Sequence, residues 1–504
     1  MKTLRLLVAS LLLCGTALAS SPSSINNDDS CDIKVGPAAT LLLPYFQVDV
    51  AGTTGQTTLF TITNVTRYPQ IAHVTLWTDW AYPVLTFNLF LTGYDVQAIN
   101  LADVLIRGTV APPGGTTSNT APGVLSAAAG NLRSTLDCAN NPAVLPTSVR
   151  NAVLSALTIG VFNPGGGAPA CSTVGSLHAN AIGYATIDVV ANCTNRMPSD
   201  PAYYTTDLLF DNVLVGDYQQ IGSSPAGAGT SNAFDAAGNP MVHIRAMPEG
   251  GGAGVAIPTG LSYTFYDRFT PSPTRTIDRR QPLPSTFAVR FIQRGASGFA
   301  TNLTIWREGI DTGKCSTYLN NPYMSFAEII RFDEHENVFV HVCSPYQEPQ
   351  EPCAQWLQPT SLTNSVASSN ASPYPPLVGP DVGGWFYLNL NNGGSLTYSV
   401  TQADGSVPTN AKTILAPVGS TTTVGPRPSQ NWVTVTLFGN LGGNRMTAEL
   451  DAAPLGNGCS PAAFLSGDNR PIGPAGGVFV CPPGTTLTDG TTTLCTGTNV
   501  NPKP

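Results

Sequence analysis

From Leu41 onward, short runs of β-branched and aromatic residues alternate with clusters of Gly, Pro, Asn and Asp. Residues 57–64, 71–77, 84–91, 182–190, 261–269, 287–292, 302–306, 327–332 and 338–342 have the length and turn punctuation of strands. The main interruption follows Asp103. There Pro146-Thr147-Ser148 offers a capped start, and Val149, Val153, Ala156 and Leu157 recur at helical spacing, which predicts a helix of about three turns between Cys138 and Cys171. A shorter helical turn is expected to begin at Asn100, before Leu101, Val104 and Leu105.

The pattern repeats. Thr58-Leu59-Phe60-Thr61-Ile62, followed by Ala72-His73-Val74-Thr75-Leu76-Trp77, matches Thr286-Phe287-Ala288-Val289-Arg290, followed by Thr301-Asn302-Leu303-Thr304-Ile305-Trp306. A third block, 385–400 and 432–450, has the same β character behind a Ser/Asn/Pro-rich stretch. The expected fold is all-β, with tandem antiparallel β-sandwich units and a small helical insertion. The expected division is a leader (1–19), a first sandwich (20–247) with its insertion at about 106–180, a second unit (248–358), a linker (359–380), a third unit (381–455) and a cysteine-bearing tail (456–504).

A strand ending in Thr-Asn, a short loop and then an Ala-x-x-Val-Thr-Leu strand resembles the paired strands of immunoglobulin-like domains in bacterial surface and adhesion-related proteins. Residues 41–105 also resemble stretches of secreted bacterial proteins without an assigned function. The resemblance implies architecture and carries no catalytic residue.

Side chains along a strand alternate between faces, so Val74 and Leu76 share one side while His73, Thr75, Trp77 and Asp79 share the other. Trp306 repeats the placement of Trp77. An uncovered indole leaves a large apolar surface in water, so either the insertion, a long loop or a neighbouring unit covers these tryptophans, which is the favoured reading, or they form a ligand platform. If that face is open, His73, Trp77, Asp79, Trp80 and Trp306 suit a glycan or a peptide.

Asp207, Asp211 and Asp217 are weighed as paired carboxylates for glycoside hydrolysis or calcium, against ordinary surface acids. Asp333-Glu334-His335-Glu336 with His341 lacks the spacing of a zinc protease helix and reads as a charged hairpin tip. No nucleophile elbow or phosphate loop is present in the sequence. Four segments, beginning at Asn64, Asn192, Asn302 and Asn370, satisfy the N-glycosylation pattern, which matters only in a eukaryotic pathway.

Composition narrows the function classes. A net charge of −8 with 11% charged residues provides no basic footprint for nucleic acid or anionic lipid. Lys2 and Arg5, the apolar run 6–13 and Ala17-Leu18-Ala19 read as a secretory signal cleaved after Ala19, and no stretch is long enough to span a membrane as a helix. Loss of Cys14 with the leader leaves an even number of cysteines in an oxidising compartment: Cys31, Cys138, Cys171, Cys193, Cys315, Cys343, Cys353, Cys459, Cys481 and Cys495. Short separations suggest Cys171 with Cys193, Cys343 with Cys353, and Cys481 with Cys495. None has a CxxC or CxxH neighbour, so no metal site or cofactor is expected. The expectation is a secreted or surface-associated structural, adhesive or ligand-binding protein whose partner is a glycan or a surface protein; the alternative is an exported hydrolase acting on polysaccharide or peptide.

Overall fold

A computed structural model describes residues 33, 35–52, 55–108, 123–128, 145–163, 171, 174–196, 198, 200–223, 234–247, 264–266, 278–292, 300–308, 328–335, 338–341, 361–365, 383–390, 398–399, 423–424, 430–441, 444–455, 478–480, 486–488, 493–496 and 500–502. The described elements are mostly antiparallel strands. The leader, and Cys31, Cys138, Cys315, Cys343, Cys353, Cys459 and Cys481, lie outside these residues.

The N-terminal half contributes β1 (Thr40–Val48), β2 (Thr57–Asn64), β3 (Gln70–Thr78), β4 (Pro83–Leu91), β5 (Val96–Asn100), β6 (Gly123–Ala128), helix α1 (Thr147–Ile159), β7 (Ala181–Val190), β8 (Leu214–Ser223), β9 (Phe234–Pro240) and β10 (Val242–Ile244). One sheet runs β10-β1-β7-β3-β4-β6 and the other β5-β2-β8-β9. Leu41, Leu43, Val74, Leu76, Ile187 and Val189 of the larger sheet meet Phe60, Ile62, Leu214 and Tyr218 of the smaller one in a common core, which also takes the apolar stripe of α1.

The C-terminal half adds β11 (Thr286–Ile292), β12 (Ala300–Arg307), β13 (Glu328–Asp333), β14 (Val338–His341), β15 (Ser361–Ser365), β16 (Gly383–Asn389), β17 (Tyr398–Ser399), β18 (Thr423–Val424), β19 (Asn431–Leu441), β20 (Asn444–Asp451) and β21 (Ala453–Pro454). These form a β14-β13-β16-β11-β21 sheet, a β15-β12-β19-β20 sheet and a β17-β18 ribbon. Two further ribbons, pairing residues 478–480 with 500–502 and 486–488 with 493–496, follow.

The repeat occupies equivalent places. In the first half β2 and β3 belong to different sheets, and so do β11 and β12 in the second. The proposed division at 359–380 is overturned by strand pairing: β16 lies between β11 and β13, and β19 pairs along the whole of β12. β15 falls inside the supposed linker and completes the edge beside β12. The second and third units are thus one body. The strands that complete the second unit come after Pro359.

The two halves also share a core. Ala39, Leu42, Trp77 and Tyr184 on the other face of the six-stranded sheet belong to one cluster with Phe287, Val289, Leu303, Ile305, Trp306, Phe386 and Val433. That sheet is therefore a middle layer with both faces buried. This explains Leu41-Leu42-Leu43, a continuous apolar run rather than an alternating one, because both of its faces enter a core. Pro44 cannot donate to the ladder, and the register of β1 against β7 shifts between Leu43 and Phe46 around it.

The helix spans Thr147–Ile159 as the spacing predicts and buries Ala152, Val153, Ala156 and Leu157. Its N-cap is Pro146, with no side-chain capping bond, so the anticipated hydroxyl cap does not form. It stops at Gly160 in the left-handed region (φ 66°), where a Cβ would lie 2.1 Å from the Gly175 carbonyl oxygen. The expected helical turn is present at residues 101–107. The strand expected at 261–269 is not seen where that segment is described. Residues 264–266 form a turn whose Phe265 and Tyr266 point into the second cluster.

Cys171 and Cys193 are both disulfide-bonded, and the fold separates them. Cys171 sits in the first core, bridged to Phe162, with its Sγ 3.5 Å from the Tyr82 hydroxyl at the Trp77/Pro83 end of β3 and β4. Cys193 adjoins Thr194, whose backbone pairs with the Asn88 side chain on the opposite face, level with His73 and Asp188. Five strand residues at about 3.3 Å each separate those levels, far beyond the roughly 4.4–6.8 Å between the Cα atoms of a disulfide. The suggested pairing of Cys171 with Cys193 is therefore corrected. Non-reducing peptide mapping should place them in different crosslinked peptides.

Candidate functional site

The face that carries His73, Trp77, Asp79 and the partner position Trp306 is where a site was anticipated. It is closed. Trp77 and Trp306 are only 1% and 2% exposed. Trp77 stacks on Tyr184 (5.7 Å, 3°), Tyr184 meets Trp306 edge-on (5.8 Å, 75°), and Trp306 stacks on Phe265 (5.7 Å, 24°). The column runs from β3 and β7 of one half into β12 and the 264–266 turn of the other. The Trp77 indole N–H donates to Thr186 Oγ1 at 2.9 Å, so its polar edge is satisfied inside the layer. The ligand platform is thus replaced by a seam, and the cover is the neighbouring unit rather than the helix, which packs on the other face.

Beside the column lies a buried polar centre. Asp188, near the C-terminal end of β7, accepts from Tyr203 Oη (2.6 Å), Tyr266 Oη (2.8 Å) and Thr40 Oγ1 (2.5 Å). The Arg280 Nε lies 3.5 Å from its carboxylate, and Arg280 Nη1 pairs with Asp278 at 3.0 Å. Burial alone would lower the Arg280 pKa, but Asp188 and Asp278 outweigh it and hold the guanidinium above its usual value. Burial, reinforced by Asp188, pushes both tyrosines well above theirs. His73 is lowered by burial against the opposing bond from its Nδ1 to Asn88 Oδ1 (3.0 Å). These groups are brought together from β1, β3, β4, β7, Tyr203, the 264–266 turn and residues 278–280.

Asp79 does not join His73. It turns to the 174–178 loop, accepting from the Ser176 N–H (3.1 Å) and lying 3.0 Å from His178 Nε2, while Trp80 Nε1 donates to Ser176 Oγ at 2.8 Å. Asp79 and Trp80 therefore fasten a loop. Asp207 is buried, held by Thr194 Oγ1 (2.6 Å) and Arg196 Nη1 (2.9 Å). Asp217 stands on the exposed face of β8 and bonds Thr61, so Asp207 and Asp217 do not converge. Asp333, Glu334 and His335 form the β13–β14 hairpin tip, as the charged-turn reading expects.

A different carboxylate pair does meet. Glu449 and Asp451, two residues apart on β20, share one strand face at the contact with β8 and β9. Tyr218 Oη donates to Glu449 Oε1 (2.8 Å), and Asn239 Nδ2 and Trp432 Nε1 donate to Asp451 Oδ1 (2.8 and 2.9 Å). Burial, with the neighbouring Asp451 adding to it, raises Glu449 to about 7. Burial raises Asp451 to about 6 against the bonds it accepts. The sequence contains the signal, acid-apolar-acid on one strand, but an exposed edge strand reads the same way.

Because both folded-state values exceed the ordinary carboxylate range, the stabilisation these two groups contribute is complete in acid. It is lost as pH rises from about 4.5 through about 7. Stability should fall across that interval by on the order of 2 kcal/mol per group. Urea midpoints of the native protein, compared with those of Glu449→Gln and Asp451→Asn, check this; the variants should show a flatter profile.

Among the described residues, no group of three or more His, Cys, Asp or Glu side chains could hold a metal ion, and no helix is long and apolar enough to cross a membrane. No protein-family model, curated protein or solved structure matches the chain.

Proposed function

We propose that the chain is an exported, extracytoplasmic protein with a structural, adhesive or ligand-binding role and no catalytic site, built from two immunoglobulin-like sandwiches. The observation that carries this reading is the fate of the anticipated site. Trp77 and Trp306 join the two halves, Asp188, Tyr203, Tyr266 and Arg280 form a buried polar centre beside them, and Asp79 and Trp80 hold a loop of the first half, which suits a rigid scaffold. Export is supported by the leader-like start and by the disulfide state of Cys171 and Cys193.

One observation favours the second reading, an exported hydrolase: Glu449 and Asp451 both titrate near neutrality, as a general acid must. Against it, each carboxyl group already has a protein donor and the pair is walled by Tyr218, Asn239 and Trp432. Prolonged incubation of the mature protein with a panel of polysaccharides and peptides should yield no products. Products that disappear with Glu449→Gln or Asp451→Asn would establish the hydrolase instead.

A further inference from the structure

The exposed apolar side chains are not evenly spread. Tyr68 (58% exposed), Tyr94 (69%) and Val96 (58%) stand together at one end of the β5-β2-β8-β9 sheet, where the loop between β2 and β3 meets the turn between β4 and β5. This knuckle is braced from below. Asn64, fully buried, donates from Nδ2 to the carbonyls of Tyr68 (2.7 Å) and Thr92 (2.9 Å), while its Oδ1 accepts from the Thr66 N–H (2.9 Å). The Tyr94 N–H donates to the Thr66 carbonyl at 2.8 Å, and the Asn64 N–H to that of Asp95 at 2.9 Å. A Cβ at Gly93 would lie 2.3 Å from the Arg67 carbonyl oxygen, so the loops touch at backbone distance. The same bonding occupies the Asn64 amide, so this glycosylation pattern has a structural use.

Two features of the knuckle have no packing purpose. Tyr94 has φ 59°, a conformation unfavourable for a bulky residue, yet its ring is in water and gains nothing from the core. The Arg67 guanidinium lies over the Tyr68 ring at 4.7 Å and bonds its hydroxyl, fixing a cation and an aromatic face together in solvent. The nearby carboxylate, Asp95, accepts from the Thr92 N–H and hydroxyl.

We infer that Tyr68, Tyr94 and Arg67 form a preorganised contact site for an acidic polysaccharide. The tyrosine rings supply flat faces for the C–H surfaces of successive sugars, and the guanidinium supplies a planar fork for a uronate carboxylate. Rigid tyrosines lose little conformational freedom on binding, and the strain at Tyr94 is the kind that persists where a side chain must be aimed outward. The inference rests on the ligand-binding form of the function proposed above.

Affinity electrophoresis of the mature protein through gels containing polygalacturonate or dextran tests it, with product analysis of the same polysaccharides. Polygalacturonate should retard the protein, dextran should not, and Tyr68→Ala or Tyr94→Ala should each weaken retention by roughly five- to tenfold. Arg67→Gln should weaken it and remove most of its salt sensitivity. Tyr94→Gly should lose retention while raising the thermal midpoint by a few degrees, about what relief of a left-handed residue is worth. A merely structural tyrosine would give the opposite sign. Absence of retardation, or equal retardation of the tyrosine variants, overturns the site; equal retardation by dextran overturns the acidic ligand. Polysaccharide cleavage would instead overturn the non-enzymatic reading.

Discussion

Trp306→Ala is expected to destabilise the protein by about 3–5 kcal/mol, read as a shift in its urea midpoint. Trp306 belongs to β12, but its ring is packed between Tyr184 of β7 and Phe265 of the 264–266 turn. Truncation removes a buried indole from the middle of the column. The flanking rings belong to separate backbone segments, β7 and the 264–266 turn, so collapse is resisted and the cavity cost adds to the lost burial. Trp306→Phe, which keeps a ring there, should recover more than half of the loss. Were Trp306 a ligand platform, the alanine variant would fold with nearly native stability and lose only binding.

Asp188→Ala should be worse than its loss of one side chain suggests. The carboxylate is the common acceptor for Tyr203, Tyr266 and Thr40 and lies 3.5 Å from the buried Arg280 Nε. Removing it leaves a fully buried guanidinium with Asp278 as its remaining carboxylate and takes an acceptor from the buried Tyr203 and Tyr266 hydroxyls, a combination worth about 3–5 kcal/mol. Asp188→Asn retains acceptor capacity and should lose less. Arg280→Met in the Asp188→Ala background should restore part of the stability, because the unpaired charge leaves with it. Denaturant midpoints of the three variants measure each step; an Asp188→Ala protein of native stability would show that the network is ornamental.

Strands and the helix were legible because their signals are local. The 57–64, 84–91 and 182–190 segments carry β-branched runs between turns, and α1 shows its apolar stripe at 149, 153, 156 and 157. The alternation of faces on β3 was legible too: Ala72, Val74 and Leu76 enter one core and Trp77 the other. What covers the second face was not, since no spacing in the sequence links Trp77 to Phe265 or Trp306. The supposed linker at 359–380 misled for a related reason. Ser361–Ser365 is polar enough to read as a spacer, yet β12 pairs with it by backbone hydrogen bonds that carry no residue signature. Cysteine spacing misled similarly, because a short separation in sequence takes no account of β7, which carries the chain from one end of the sheet to the other between Cys171 and Cys193. No motif in the sequence marks Asp188, and only the tertiary arrangement surrounds it with two tyrosines and an arginine.

A double-mutant cycle between Tyr184→Ala and Trp306→Ala, followed by equilibrium unfolding, tests the seam most directly. The pair touch across the two halves at 5.8 Å, so the cycle should return a coupling of about 0.5–1.5 kcal/mol. Additive losses, with no coupling, would mean that the rings do not meet and that the aromatic face is not the joint between the halves.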